Sequence, residues 1–205
     1  MTRLLSRLWA LRLSALLWIT VGLGGCANGP SVQEYLMTLP AADALPDQGS
    51  PHVTQVSRVQ VPTYLSGSAM VLIDEQGQVY RARQHLWAEP LSNQLTRLTW
   101  QRLQQRLPKW TWLPPENHYT KPAAQLSLTL SRFEADFQGD SRIEGQWRWV
   151  SAAGDQAYCG TVVGRWPLAQ SGYAGMAQAL ANNWSQQIID TVAEALASPT
   201  PANCH

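Results

Sequence analysis

The stretch AQLSLTLSRFEADFQ, residues 124–138, decides the fold. Leu126, Leu128 and Leu130 alternate with polar residues, the period-two pattern of a strand with one buried face. The apolar phase then moves by one residue, to Phe133, Ala135 and Phe137. A one-residue slip in a period of two turns every side chain over, so a β-bulge near Ser131-Arg132 is the economical explanation. RIEGQWRWV (142–150) continues the pattern, with Ile143, Gly145, Trp147 and Trp149 on one face and Glu144, Gln146 and Arg148 on the other. AYCGTVVGRWP (157–167) reads as its partner, joined through SAAGDQ as a hairpin.

Outward from this core the elements follow in order. EYLMTLP (Glu34–Pro40) reads as a strand with Tyr35, Met37 and Leu39 on one face, and AADALPDQGSP after it as a loop. HVTQVSRVQVP predicts a second strand, with Val53, Val59 and Val61 in phase and Pro62 closing it. SAMVLIDEQGQVYRARQ predicts two short strands around the turn Glu75-Gln76-Gly77. Ala88–Pro108 predicts a helix that Pro90 starts and Pro108 stops. Leu91, Leu95, Leu98, Leu103 and Leu107 form its apolar stripe, with Asn93, Gln94, Arg97, Gln101 and Gln104 opposite. In the last segment Tyr173, Met176, Ala177, Leu180, Trp184, Ile188, Val192 and Leu196 stand at helical spacing. Strands, helix, strands, helix reads as α+β: a largely antiparallel sheet with two main helices packed on it.

The N-terminus lies outside this pattern. Arg3, Arg7 and Arg12 precede an apolar run, Leu13–Leu23, that is shorter than the roughly 20 residues a membrane-spanning helix needs. Leu23-Gly24-Gly25-Cys26 then resembles a bacterial lipobox, in which the cysteine becomes the acylated first residue of the mature chain. The reading is a lipoprotein signal peptide over 1–25, a tether over 26–33, one domain over 34–197 and a tail over 198–205. A diacylglycerol and an N-acyl chain on Cys26 together make a stable anchor. Ala27 follows, with no Asp to retain the chain at the inner membrane. The expected place is therefore the inner leaflet of the outer membrane, facing the periplasm.

Removing the signal takes away three arginines and no acid, so the net charge moves from +1 to about −2. Without a basic block, a nucleic-acid partner is not expected. Cys159 and Cys204 stay with the domain. An oxidising periplasm permits a disulfide between them, and two unpaired thiols are the other reading.

Chemistry is hard to find. His52, His85, His118 and His205 are scattered, and the chain has no HExxH, no CxxC, no Gly-rich phosphate loop and no GxSxG elbow. Glu134, Asp136 and Asp140 form a loose acidic group that reads as a solvated strand face. No catalytic residue, metal ligand or cofactor is assigned, and an enzyme is not expected. Eight tryptophans remain in the domain. Trp110 and Trp112, and Trp147 and Trp149, are same-face pairs if extended, and they belong either to the core or to a lipid groove or subunit interface.

Several stretches resemble one family, the auxiliary lipoproteins of ABC-type transport, and within it the Pqi-type intermembrane branch. They are the lipobox at Cys26, Tyr35–Pro40, VQVPTYLSGSAMV (59–71), HLWAEPLSNQL (85–95), LPKW (107–110) and WSQQI (184–188). The resemblance implies a partner: a tube-forming MCE-type protein anchored in the inner membrane that carries lipid across the envelope. It implies docking or lipid hand-over at the outer membrane, and a ring of copies to match the partner's ring. Pro62, Tyr64 and Leu65 are the expected partner-contact loop. A stand-alone lipid or hydrophobic-ligand carrier is the alternative.

Overall fold

The computed structural model describes residues 31–117 and 119–198. The chain divides into Met1–Val32 and Gln33–His205, and the architecture below is that of the second unit. Cys26, His118, Cys204 and His205 lie outside the described residues.

Eight strands form one mixed sheet: β1 (Gln33–Tyr35), β2 (Val53–Val56), β3 (Ala69–Ile73), β4 (Val79–Trp87), β5 (Thr111–Leu113), β6 (Ala124–Ala135), β7 (Asp140–Val150) and β8 (Ala157–Pro167). The long ladders β6–β7–β8 and β3–β4 are antiparallel. The short ladders β1–β4, β2–β5, β2–β6 and β3–β6 are parallel. β1 begins at Gln33, one residue inside the stretch read as tether.

β6 organises the sheet. The ladder to β7 shifts register between Leu130 and Arg132, at the bulge read from the sequence. One edge of β6 pairs with β7 along its length. The other edge is shared: Ala124–Leu126 pair with β2, and Ala135 pairs with Leu72 of β3. The bulge bends the strand and raises its twist, which suits it to serve two neighbours on one edge. β6 ends at Ala135, so Phe137 leaves the buried phase and stands 56% exposed.

Residue sizes alternate across β7 and β8. Trp147 faces Gly160, Gly145 faces Val162, Ile143 faces Gly164 and Ser141 faces Trp166. Each large side chain thus has a small neighbour across the ladder, the interdigitation a dense core requires.

β2 departs from the predicted alternation. Thr54, Val56 and Val59 are buried, whereas Val53 and Val61 are half-buried. After Val56 the backbone turns to the helix above it. The Val59 N–H donates to Thr96 Oγ1 at 2.9 Å, and Ser92 Oγ donates to the Val59 carbonyl at 2.6 Å. Side chains of a helix here complete backbone groups that a regular ladder would have paired.

That helix, α1 (Leu91–Arg106), lies within the predicted span, with Pro90 at its N-cap. Its apolar stripe is buried as expected, but Gln94 is buried too. Gln94 Oε1 accepts the Met37 N–H at 2.8 Å and its Nε2 donates to the Glu89 carbonyl at 3.0 Å. An amide satisfied at both ends can be buried at little cost.

The last helical run is α2 (Gly172–Asn182), a π-helical segment (Asn183–Ile189) and α3 (Asp190–Ala197). Its buried residues fall in pairs every four positions: Met176-Ala177, Leu180-Ala181, Trp184-Ser185, Ile188-Ile189, Val192-Ala193 and Leu196-Ala197. A spacing of four overshoots the 3.6-residue α turn by about 40° each time. A straight α-helix would carry the stripe round to solvent. The wider π turn takes up that drift, and the Asp190 N–H bonds the Ser185 carbonyl, five residues back.

Candidate functional site

The indole N–H of Trp149 donates to Thr54 Oγ1, that of Trp110 to the Gln48 carbonyl, that of Trp112 to the Leu107 carbonyl and that of Trp184 to Thr99 Oγ1. Trp110 stacks on Trp112 at 5.3 Å, and His52 lies 4.8 Å from Trp110 and 5.2 Å from Trp149. Both same-face pairs are therefore core, with the polar handles of Trp110, Trp112 and Trp149 satisfied, and Trp147 also borders surface crevices beside Thr161.

The loop assigned to partner contact is held from inside. Leu65 is 3% exposed and packs in the core. Tyr64 folds onto the bulge: its hydroxyl donates to Glu134 Oε2 at 2.7 Å and lies 3.3 Å from the Ser131 carbonyl. Glu134, read as solvated, is fully buried. It accepts Arg132 Nε at 2.6 Å and the Phe133 N–H at 2.9 Å as well. The Val-Pro-x-Tyr-Leu stretch is thus a clamp, with Tyr64 closing the bulge over a buried carboxylate. Thr63, Ser66, Gly67 and Ser68 are the residues of this loop that face solvent.

Burial, and after it the hydrogen bond to Glu134, hold the Tyr64 hydroxyl well above its ordinary value of 10.0. With the folded value raised, the stability from the neutral phenol is fully present below pH 10.0 and is lost at higher pH. Tyr64→Phe is expected to cost about 2 kcal/mol at neutral pH, as for other hydrogen bonds to a charged group. Urea midpoints should show the gap between wild type and variant closing above pH 10.0. A gap that stays constant there would refute this role.

Asp136, also read as solvated, is 5% exposed. Its Oδ1 accepts the Gln138 and Asp140 N–H groups at 3.0 Å each. Its Oδ2 accepts Arg142 Nε at 3.2 Å and Arg165 Nη2 at 2.9 Å, while Arg165 Nε reaches Asp140 Oδ2 at 2.6 Å. The acidic group therefore staples the β6–β7 turn to the end of β8. Its partners lie up to 29 residues away, which is why adjacency alone suggested an exposed face.

No group of three or more His, Cys, Asp or Glu among the described residues is placed to hold a metal ion. No described helix is long and apolar enough to cross a membrane. His85 sits between Tyr35, whose hydroxyl lies 2.9 Å from Nδ1, and Tyr173, on which it stacks at 4.1 Å. Cys159 lies on β8 opposite Arg148.

Among the surface crevices of the described residues is one of about 490 Å³, part apolar and part polar, between the β6–β7 turn and the start of α2. Met176, Leu72 and Leu168 line it together with Phe137 and Tyr173. No sequence pattern announced it, because three distant segments meet there.

The buried charges of this domain thus hold its turns, and the crevice lies open beside them. The chain belongs to the family of ABC-type transport auxiliary lipoprotein components, whose family model matches residues 35–193. That family is one of transport auxiliaries, not of enzymes. Among curated proteins, the chain is 27% identical over 189 residues to the intermembrane transport lipoprotein PqiC of Escherichia coli (strain K12), covering 87% of this chain and 92% of that one. The same figures hold for PqiC of Shigella flexneri. Two crystal structures share the fold. An uncharacterized protein aligns with a TM-score of 0.70 at 23% identity, over 81% of this chain and 99% of that one. A protein from Xanthomonas campestris aligns with a TM-score of 0.67 at 15% identity, over 80% and 95%.

Proposed function

We propose that this protein is the lipoprotein component of a Pqi-type intermembrane transport system. Acylated Cys26 anchors it in the inner leaflet of the outer membrane, and the domain faces the periplasm. There it docks a tube-forming MCE-type protein anchored in the inner membrane, and lipid passes between them. The observation that carries this reading is the likeness to an intermembrane transport lipoprotein over 87% of the chain. The lipobox and the family description agree with it. In this reading the copies form a ring matching the partner's, and the solvent-facing part of the loop after Pro62 is a contact. A Cys159–Cys204 disulfide ties the tail to β8, and oxidising export makes such a bond accessible.

Cys26→Ala is expected to remove the acyl mass from the chain and to release it from outer-membrane fractions. Because one anchor of several chains holds the domain, release should be nearly complete. Wild-type chain purified from envelopes should bring the MCE-type protein with it. Mass spectrometry of the same sample should read two hydrogens fewer if Cys159 and Cys204 are joined. Acylated chain that arrives alone but carries bound lipid would replace docking with a stand-alone carrier.

A further inference from the structure

We infer that the crevice between the β6–β7 turn and the start of α2 is the lipid site, taking one acyl chain of a phospholipid while its headgroup stays outside. The inference rests on the reading of the protein as an anchored transport lipoprotein. At about 490 Å³ the crevice is of the size of small-ligand sites. Met176, 2% exposed, lies at its base beside Leu72 and Leu168. The carboxylates at its rim, Asp136 and Asp140, are taken up by Arg142 and Arg165. Their charges offset one another, so the apolar wall of Leu72, Phe137, Leu168, Tyr173 and Met176 is what the crevice offers a hydrocarbon chain, with Gln138 and Ser171 at the polar rim where a headgroup would stay.

Two further observations point to a lipid. Phe137, 56% exposed, and Tyr80, 39% exposed, meet edge-to-face at 5.0 Å beside the mouth. Exposed aromatics of this kind suit a boundary that is apolar on one side and wet on the other. The chain that leads to Cys26 enters the domain nearby. Tyr35 of β1 touches His85, and His85 stacks on Tyr173, which lines the crevice. From Cys26 to Gln33 the chain spans at most about 25 Å. An acylated Cys26 therefore keeps the edge of the domain that holds Tyr35 close to the bilayer, and the crevice opens two rings from that edge.

The test uses the full chain with its anchor, reconstituted in phosphatidylcholine vesicles. The vesicles contain a phosphatidylcholine bearing a diazirine midway along one acyl chain. After illumination, labelled peptides should come from the 137–140 turn and the 168–176 segment. Ser171→Trp fills the mouth from an exposed position whose side chain makes no capping bond. Phe137→Ala removes an exposed wall. Each should lower the label about fivefold, the loss expected when part of a hydrophobic contact is removed. Label insensitive to Ser171→Trp would mean adsorption of exposed aromatics to the bilayer, and would overturn the site. Label elsewhere, or none, would overturn it as well. Crevice label without co-purification of an MCE-type partner would keep the site and defeat the transport reading; the converse would defeat the site alone.

Discussion

Replacing Asp190 with alanine is expected to cost about 3–5 kcal/mol of folding stability, the range for removing one partner of a buried ion pair. Arg102, 3% exposed, donates from Nε to Asp190 Oδ1 and from Nη2 to Oδ2, both at 2.7 Å. Its Nη1 donates to the Pro40 carbonyl at 3.0 Å. Arg106 Nε adds charge at 3.3 Å from Asp190 without hydrogen-bond alignment, and Arg106 Nη1 donates to the Asp43 carbonyl at 2.7 Å. Asp190 therefore joins α1, the start of α3 and the 40–43 loop in one cluster. Without it a guanidinium stays buried with only the Pro40 carbonyl and, at 3.5 Å, Gln105 Oε1, and no counter-charge on its Nε or Nη2. A domain of this size has about 5–15 kcal/mol in total, so the loss is a large share of its stability. Urea unfolding followed by tryptophan fluorescence measures it. The double variant Arg102→Met/Asp190→Leu should recover most of the loss, because much of the cost lies in the unpaired charge. A single variant less than about 1 kcal/mol below wild type would show the pair to be solvated in solution.

These particulars mark what the sequence could and could not disclose. The β6 bulge and the β7–β8 hairpin were legible because period-two alternation is local. Pro90 and Pro108 bounded α1 in the same way. Gln94, Glu134 and Asp136 were misread as solvated because what buries them comes from far along the chain. Tyr64 reaches Glu134 across 70 residues, and Gln94 reaches Met37 across 57. The parallel ladders were missed for the same reason, since β2 and β6 pair through no hairpin. The π segment did leave a trace: buried positions recur every four residues, a period that a straight α-helix cannot keep on one face. The crevice left none. Its walls are core apolar residues and turn residues from three separate segments, and only their meeting makes a site.

Gly145→Val is expected to cost about 3 kcal/mol, the upper range for overpacking a core. Gly145 sits on β7 between Leu130 of β6 and Val162 of β8, beside the bulge. A Cβ there would lie 2.4 Å from the Thr129 carbonyl oxygen and 2.9 Å from the Leu130 Cα. Both are backbone atoms of β6, so relief requires β6 to move and not merely a side chain to rotate. Gly164 supplies the contrast. A Cβ there would meet the ring of Trp166 at 1.7 Å, a still closer contact. That ring is the far end of a half-buried side chain at the free edge of the sheet, and it can swing away. Gly145→Ala should therefore lower the urea midpoint clearly more than Gly164→Ala, although the nominal overlap ranks them the other way. Equal losses would mean that the sheet yields as easily beside the bulge as at its edge. The bend in β6 would then not be what Gly145 protects. If the order holds, that bend is fixed by a residue with no side chain. It sets where β6 meets β3, at Leu72 and Ala135, and so where Leu72 stands in the crevice.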